Sequence, residues 1–152
     1  MDVNLEIVSI PVSDVDKALE FYHERLGWRL DTDVSIGAVR LVQITPTGAG
    51  HVSIAFGSGV PQGEPGSIRH LELVTADIVA THKELVERGI DVSEIYHGAG
   101  SPFFPEARIP GPDPERTSYA SYASFADPDG NGWTLQEVTT RRPGREPGGQ
   151  AQ

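Results

Sequence analysis

The chain has 152 residues, and its 38% hydrophobic content is enough for one core. Twelve Lys and Arg against 22 Asp and Glu give a net charge of −10, so the overall field repels nucleic acid and anionic membranes. No apolar stretch approaches the roughly 20 residues of a membrane helix, and the start MDVNLEIV lacks the features of a secretory signal. We therefore expect a cytoplasmic protein with neither nucleic acid nor membrane as a partner. The absence of Cys excludes disulfides and thiolate metal ligands.

The first part of the chain is predicted to fold as βαβββ. Alternation from Leu5 to Val12 is typical of a strand that buries one face. Ser13 or Asp14 can then cap a helix that ends at Gly27. The apolar residues of this helix recur at helical spacing, at Val15, Ala18, Leu19, Tyr22 and Leu26. Three further strands are predicted over residues 28–31, 38–45 and 51–56.

A second unit repeats this pattern after a linker over residues 58–66, which has too few apolar side chains for a packed element. Four positions of the first strand and helix recur at a single offset of 63 residues. The pairs are Val8 and Leu71, Ile10 and Leu73, Asp14 and Asp77, and Val15 and Ile78. The second unit is predicted to have strands over 68–75, 91–96, 119–126 and 133–138, and a helix over 77–88 that ends at Gly89.

These elements predict one α+β domain over residues 4–139. Its two βαβββ modules, residues 4–57 and 67–139, are expected to form a paired, curved mixed sheet around a cleft. Residues 140–152 cannot bury apolar surface and are predicted to be a mobile tail.

A Gly- and Pro-rich loop over residues 97–118 is too long to be a routine connection. The adjacent aromatic residues Phe103 and Phe104 favour a lid over the cleft, since a solvated linker has no use for them. Packing within the protein or contact between subunits is the alternative. Four other aromatic residues are predicted to lie in the core: Phe21, Tyr22, Trp28 and Trp133.

Three segments together resemble the vicinal oxygen chelate superfamily. They are residues 11–28 (PVSDVDKALEFYHERLGW), a weaker echo at 74–89, and DPDGNGW at 127–133. That group includes glyoxalase I, extradiol dioxygenases, fosfomycin resistance proteins and bleomycin-binding proteins, so the resemblance implies a fold more specifically than an activity. It also implies a small organic ligand and a homodimer, because members of the superfamily often pair. In the last segment, Asp127 and Asp129 are predicted to hold backbone hydrogen bonds of a turn.

The resemblance places metal ligands on the first and last strands of each module. The corresponding positions hold Ile7, either Ala55 or Ser53, His70, and Thr134. Of these only His70 is a good metal ligand, because Ile and Ala offer no lone pair. We therefore predict no metal site of the usual kind and no bound cofactor. The alternative is a displaced divalent-metal site at His70 and Glu72, with His51 or His97 as a third ligand.

His70 and Glu72 are also the candidate catalytic residues. Burial raises the pKa of a carboxyl group and an imidazole titrates near neutrality, so such a pair can move a proton next to a carbonyl. The structural alternative is that His70 hydrogen-bonds in a polar pocket and Glu72 pairs with Arg69 or Arg40. Further side chains opposite the apolar stripes are candidate ligand contacts: Ile7, Ser9, Ser53, Phe103, Phe104, Tyr122, Thr134 and Gln136.

Three functions remain open from the sequence. The favoured one is a protein that binds an apolar or aromatic metabolite or antibiotic without the usual complete metal site, as the bleomycin-resistance branch of the resemblance implies. The second is a glyoxalase-like lyase, isomerase or dioxygenase that uses His70 and Glu72. The third is a subunit or scaffold whose cleft is empty. The sequence does not decide whether the protein is an enzyme.

Overall fold

The computed structural model of the chain describes residues 1–144. Nine strands and two α-helices are found there, namely β1 (Ile7–Ser9), α1 (Val15–Leu19), β2 (Arg29–Ile36), β3 (Val39–Thr45), β4 (Ser53–Ser58), β5 (Leu71–Thr75), α2 (Ile78–Glu87), β6 (Tyr96–His97), β7 (Ile109–Pro110), β8 (Ser121–Ala126) and β9 (Gly132–Glu137). A π-helical segment, Glu20–Arg25, continues α1, and a 3₁₀ turn, Pro105–Ala107, precedes β7. Within residues 1–144, no helix is both long and apolar enough to cross a membrane.

The strands form two sheets. Sheet 1 has the order β1-β4-β3-β2, in which β1 runs parallel to β4 while the two other pairs are antiparallel. Sheet 2 has the order β5-β9-β8-β6-β7. Two mixed sheets with few helices confirm the predicted α+β class.

The chain divides into two compact units. Unit 1 comprises Met1–Leu71, Arg88–Ile90 and Ala126–Trp133, and unit 2 comprises Glu72–Glu87, Asp91–Phe125 and the chain from Thr134 onward. Sheet 1 therefore lies wholly in unit 1, whereas β6, β7 and all of β8 except Ala126 lie in unit 2.

Both helices begin as the sequence predicts. The Asp14 carboxylate accepts a hydrogen bond from the backbone N–H of Lys17 at 3.1 Å, and the Asp77 carboxylate does the same for Ala80, also at 3.1 Å. Each aspartate thus satisfies a backbone donor in the first helical turn that has no partner within the helix. The predicted ends are also confirmed, since Gly27 and Gly89 have positive φ angles of 74° and 75°.

Several predicted elements differ from the structure, among them the second strand, which extends to Ile36 rather than ending at Asp31. The first strand spans Ile7–Ser9 rather than residues 5–12, and the backbone N–H and carbonyl of Val12 bond to the Gln62 side chain instead of to β4. The first helix is α-helical only to Leu19 and then widens into a π-helix, in which the N–H of Leu26 reaches the carbonyl of Phe21.

The strand predicted over residues 91–96 shrinks to Tyr96–His97. Ser93 replaces regular pairing there with individual bonds: its N–H donates to the Ser124 carbonyl, and its own carbonyl lies 2.9 Å from Nε2 of His82. The predicted loop over residues 97–118 likewise contains regular structure, since β7 pairs antiparallel with β6.

The core of unit 1 is built around Tyr22, which is fully buried. Its hydroxyl donates to Asp127 at 2.8 Å and accepts from the Trp133 indole N–H at 3.0 Å. Phe21, Trp28 and Trp133 are also buried, as predicted, and their rings lie within 6 Å of the Tyr22 ring. Burial and the neighbouring Asp127 raise the pKa of Tyr22 far above that of a free phenol. The Tyr22 hydroxyl therefore keeps its proton and donates it in the hydrogen bond to Asp127.

The predicted turn at residues 127–131 is confirmed for Asp127, whereas the Asp129 carboxylate accepts from the N–H and hydroxyl of Ser13 instead of from the turn. Oδ1 of Asp127 accepts from the N–H groups of Asp129 and Asn131, at 3.0 and 2.9 Å. Oδ2 accepts from Nδ2 of Asn131, which also donates to the Pro11 carbonyl at 2.8 Å. Buried Asp127 therefore has all its polar partners within unit 1.

The linker over residues 58–66 is fastened to the same unit. The Gln62 side chain accepts from the Val12 N–H at 3.2 Å and donates to the Val12 carbonyl at 3.0 Å. Gly66 is buried with φ 79°, and a Cβ there would lie 2.0 Å from the Asp129 carbonyl oxygen. Only glycine fits this close backbone approach.

Two arginines, Arg25 and Arg88, make reciprocal contacts in unit 1. The Arg25 guanidinium donates to the Gly89 carbonyl, and Nη1 of Arg88 donates to the Arg25 carbonyl at 3.5 Å. These carbonyls lie at or just past helix ends, where cationic donors are favourable. The two arginines are separated by the same 63-residue offset that relates the two halves of the sequence.

In unit 2, the buried carboxylate of Glu137 holds two segments. It accepts from Arg116 at 2.8 and 2.5 Å and from the N–H of Ile78, the first residue of α2, at 2.9 Å. The Arg116 bond lowers the pKa of Glu137, and the Ile78 bond acts in the same direction. Glu137 therefore ties the chain before β8 to the start of α2.

The described part of the predicted tail is also bonded. The N–H groups of Thr139 and Thr140 donate to Oγ of Ser118 at 3.0 and 3.1 Å, and the Arg142 N–H donates to the Tyr119 hydroxyl at 3.1 Å. The remainder of that prediction, residues 145–152, lies outside the described residues.

We predict that Tyr22→Phe lowers the free energy of unfolding by about 1–3 kcal/mol, because it leaves Asp127 and the Trp133 indole each short of a buried partner. Urea unfolding followed by circular dichroism measures this change. Tyr119→Phe, which removes a half-buried hydroxyl, should cost less than about 1 kcal/mol. Equal losses of unfolding free energy in the two variants would show that the Tyr22 hydroxyl contributes no more to stability than the half-buried Tyr119 hydroxyl.

We also predict a loss of stability in acid that depends on Glu137. Because its folded pKa lies below the usual 4.5, its contribution is present above that pH and is lost as the pH falls through the folded pKa. Glu137→Gln should therefore be less stable than the parent at neutral pH but lose less stability between about pH 5 and pH 3. Urea midpoints across this range test the point, with Glu115→Gln in the neighbouring exposed chain as the control. A variant whose pH dependence matches that of the parent would refute it.

Candidate functional site

One face of sheet 2 carries a cluster of aromatic and polar side chains in unit 2. Tyr96 on β6 lies directly opposite Tyr122 on β8 in the antiparallel register. Their rings stack with centroids 5.7 Å apart and planes inclined by 24°. The Tyr96 hydroxyl lies 2.6 Å from Oγ of Ser124, two residues beyond Tyr122 on the same strand face.

Gln136 on β9 extends this cluster. Its Nε2 donates to the Tyr119 carbonyl at 3.0 Å and to the Tyr122 hydroxyl at 3.3 Å. The Tyr122 hydroxyl in turn donates to the Tyr119 carbonyl at 2.8 Å. Thr134, two residues before Gln136 on the same strand, is also buried. Because strand side chains alternate, Thr134 lies on the same face as Gln136.

Two arginines lie over tyrosine rings in this part of unit 2. The Arg108 guanidinium carbon is 4.1 Å from the centre of the Tyr96 ring, and that of Arg142 is 4.5 Å from the centre of the Tyr119 ring. Such cation–π contacts are favourable at this range. We call Tyr96, Tyr122, Ser124, Gln136 and Arg108 together the tyrosine face.

Partial burial raises the pKa of Tyr122, the Gln136 hydrogen bond acts against that rise, and the negative charge of Glu72 adds to it. The phenol therefore stays protonated at neutral pH and continues to donate to Tyr119. The hydrogen-bond pattern of the tyrosine face is consequently fixed over the physiological range.

The loop between β6 and β7 presents the two predicted lid residues. Phe103 and Phe104 are 67% and 57% exposed, and both of their N–H groups donate to the Gly100 carbonyl in a tight turn. Nε of Arg108 reaches the Ser101 carbonyl at 3.4 Å while its guanidinium covers Tyr96, so one side chain connects this turn to the tyrosine face. The role of the loop as a lid stays a prediction.

Three of the predicted ligand contacts lie on one face of sheet 1 in unit 1. Ile7 pairs with Ser53, and Ser9 pairs with Ala55, in the parallel register of β1 and β4. Ile7 and Ser9 are exposed, whereas Ser53 is buried. Parallel strands in register turn paired side chains to the same face, so these residues share a surface.

Ser53 belongs to a directed chain of hydrogen bonds. The Asp31 carboxylate accepts from the Thr45 hydroxyl, and this bond is the main cause of the lowered pKa of Asp31. Since Thr45 uses its proton there, Ser53 must donate to Thr45 at 2.7 Å and accept from Nε2 of Gln43 at 3.3 Å. All three hydroxyl or amide groups therefore have an assigned orientation.

The candidate catalytic pair lies at the start of β5. His70 immediately precedes the strand and is half-buried, whereas Glu72 is exposed. The apolar surroundings that the acid–base hypothesis requires are thus not found around Glu72. Whether either residue takes part in a reaction stays a prediction.

Two of the four positions that correspond to the superfamily's metal ligands hold no side chain that is available to a metal ion. Ile7 has no donor atom, and the Ser53 hydroxyl is committed to Thr45 and Gln43. Among residues 1–144, no group of three or more His, Asp or Glu side chains is placed to share an ion. The displaced site at His70 and Glu72 therefore lacks a third ligand of these types within the described chain.

The sequence did not identify three residues that form or support the tyrosine face: Tyr96, Arg108 and Tyr119. Tyr96 was predicted only as the end of a strand, although its alternation with Ile95 could have placed it opposite Tyr122. The position of Arg108 over Tyr96 depends on the path of the β6–β7 loop, and the use of the Tyr119 carbonyl depends on backbone geometry. Neither leaves a signal in the sequence.

The chain matches the family described as the Glyoxalase/Bleomycin resistance protein/Dioxygenase superfamily over residues 4–135. It belongs to that superfamily. The resemblance seen in the sequence is therefore confirmed, and membership accounts for the two sheets and the repeated strand–helix pattern. No curated protein matches the chain.

Solved structures of this superfamily resemble the chain closely. TnmS3, an antibiotic binding protein from Streptomyces sp. CB03234, is 33% identical, with 90% of this chain and 97% of TnmS3 covered and a TM-score of 0.67. A glyoxalase/bleomycin resistance protein from the same organism is 34% identical, with 88% and 100% covered and a TM-score of 0.64. A superfamily member from Sphaerobacter thermophilus DSM 20745 is 27% identical, with 90% and 98% covered and a TM-score of 0.61.

We predict that Arg108→Ala loosens the loop between β6 and β7. Loss of a cation–π contact worth about 0.5–1 kcal/mol should raise amide hydrogen exchange around residues 100–104 by about two- to fivefold. Exchange measured by mass spectrometry tests this, with Lys83→Ala on the exposed side of α2 as the control. Unchanged exchange in the Arg108 variant would show that the arginine does not hold the turn.

Proposed function

We propose that this superfamily member binds a small aromatic antibiotic or metabolite at the tyrosine face. The observation that carries the proposal is the stacked Tyr96–Tyr122 pair, with Arg108 over one ring and Gln136 bonded to the other. Ligand sites commonly combine aromatic surface with a few fixed polar groups that orient the ligand. The tyrosine face has both.

The tyrosine pair suits a flat ring. Tyr96 is buried and Tyr122 is half-buried, so the pair is rigid while part of it remains accessible. Aromatic pairs gain about 0.5–1.5 kcal/mol beyond area burial, and a preformed stack loses little entropy when a third ring joins it. A planar ligand is therefore a better fit than a flexible aliphatic one.

Similarity to an antibiotic binding protein supports the class of ligand. TnmS3 is 33% identical to this chain, with nearly all of both chains covered. This supports an antibiotic or a related aromatic metabolite as the ligand, and binding rather than turnover as the activity. We propose that Phe103, Phe104 and Thr134, which belong to the same unit, make further contacts with it, and that Ile7, Ser9 and Ser53 are ligand contacts on sheet 1 of unit 1.

The enzymatic alternative would use His70 and Glu72. Glu72 is exposed, and no third His, Asp or Glu joins the pair as a metal ligand within residues 1–144. A lyase, isomerase or dioxygenase at this position would need either a buried acid–base pair or a third metal ligand. The geometry therefore supports binding better than it supports the enzymatic alternative.

We further propose that the protein acts as a cytoplasmic homodimer. On sheet 1, Val34 pairs with Leu41 in the β2–β3 register, and both are 42% exposed; Ile36, two residues on, is 74% exposed. An apolar surface of this kind is suited to contact with a second copy. Light scattering after size exclusion should give a mass of about twice 16.4 kDa, and a monomer mass would refute the dimer.

The proposed site is tested by a matched pair of variants. Tyr96→Ala removes the stack and should weaken binding of an aromatic ligand, identified by calorimetry from an antibiotic panel, by about tenfold or more. Tyr96→Phe keeps the ring and should stay within about threefold of the parent.

Circular dichroism is used to check that both variants fold. Equal affinity of the parent and Tyr96→Ala would remove the tyrosine face as the site. Chemical conversion of the ligand during incubation, followed by mass spectrometry, would overturn a binding-only function.

A further inference from the structure

The side-chain amide of Gln136 has only one possible orientation. Its Nε2 lies 3.0 Å from the carbonyl oxygen of Tyr119. A backbone carbonyl can only accept a hydrogen bond, so the nitrogen of the amide, and not its oxygen, must face Tyr119. The first N–H of Gln136 is thereby committed.

The second N–H is committed as well. The Tyr122 hydroxyl gives its proton to the Tyr119 carbonyl at 2.8 Å, so its oxygen remains as an acceptor. Nε2 of Gln136 lies 3.3 Å from that oxygen and donates to it. The amide carbonyl oxygen, Oε1, accepts no hydrogen bond from residues 1–144.

This unpaired acceptor is nearly buried yet accessible. Gln136 is 7% exposed. Within residues 1–144, the fully enclosed side-chain atom that lacks a partner is Oγ of Ser101, so Oε1 of Gln136 retains some open surface. A nearly buried amide oxygen without a donor is costly, and the nitrogen of the same amide lies 3.3 Å from the Tyr122 hydroxyl of the proposed site.

The backbone at Tyr119 maintains the arrangement. Tyr119 has φ 70°, a left-handed conformation that costs a residue with a Cβ about 1–2 kcal/mol. Its N–H donates to the Glu137 carbonyl at 2.8 Å, while its own carbonyl accepts from both Tyr122 and Gln136. Strain of this kind persists where the surrounding structure holds it, and it is frequent at binding sites.

We infer that Oε1 of Gln136 selects ligands whose aromatic ring carries a hydrogen-bond donor, such as a phenol O–H or a ring N–H. A ring that offers only an acceptor in that position would face the amide oxygen with no proton between them. The inference rests on the proposed function and adds a chemical class to it. It also makes Gln136 a specificity-determining residue rather than a general polar contact.

The experiment uses two probes that differ by one methyl group, 2-naphthol and 2-methoxynaphthalene. Both have the same fused ring, but only the first can donate. Calorimetry on the full chain at about pH 6.5, where a phenol is protonated, should show about a tenfold preference for 2-naphthol. In Gln136→Met, which keeps the length and removes the acceptor, the two affinities should become equal. The control Gln62→Met, in the unit 1 linker, should retain the parent's preference.

Tyr122→Phe provides a second variant in case Gln136→Met does not fold. It keeps the ring but releases one N–H of Gln136, which can then donate to the ether oxygen, so the preference should fall to about threefold or less. Equal binding of the two probes by the parent would overturn the inference and leave the proposed function standing. A preference that survives in both variants would also overturn it. If neither probe nor any other aromatic compound binds the parent, the proposed function itself fails.

Discussion

The buried carboxylate of Asp127 is the interaction on which unit 1 depends. It accepts from Tyr22, from two backbone N–H groups of its own turn, and from the Asn131 side chain, which in turn holds Pro11. Its direct contacts and the Asn131 bond to Pro11 join three segments, namely the π-helical turn at Tyr22, the turn that precedes β9, and the chain after β1. A buried charge is tolerated only when its acceptor sites are filled in this way.

Unit 2 also contains a buried carboxylate whose acceptor sites are filled, that of Glu137. Glu137 is buried and is satisfied by the Arg116 guanidinium and the first N–H of α2. Because β9 alternates, Glu137 points to the face opposite Gln136, and its backbone carbonyl accepts from Tyr119. The ion pair on one face of β9 and the tyrosine face on the other are thus joined through a single loop. The residues that stabilise unit 2 therefore adjoin those of the proposed ligand site.

The features predicted correctly from the sequence are those that depend on local rules. Asp14 and Asp77 cap helices because an aspartate side chain can reach the N–H three residues on, whatever the tertiary structure. Strand alternation also named Tyr122 and Gln136 as candidate ligand contacts; that role stays a prediction, although the structure joins the two side chains by a hydrogen bond.

What could not be predicted depends on tertiary contacts. The π-helix follows Leu19 in a stretch whose apolar spacing equally suits an α-helix, and residues 91–95 have strand-like alternation but satisfy their backbone through Ser93 instead. The tyrosine face required the register of β6 with β8 and the left-handed Tyr119, and single-residue dihedral angles have no sequence signature in a residue other than glycine or asparagine.

The reciprocal contacts of Arg25 and Arg88 relate the two halves of the chain. Each arginine occupies the equivalent position of its half and caps a carbonyl near the end of the other half's helix. The two contacts are not strictly equivalent, because Gly89 corresponds to Leu26 at that offset, whereas Arg88 reaches the carbonyl of Arg25. A repeated residue thus keeps its place in the sequence pattern while its hydrogen-bond partner differs by one residue between the halves.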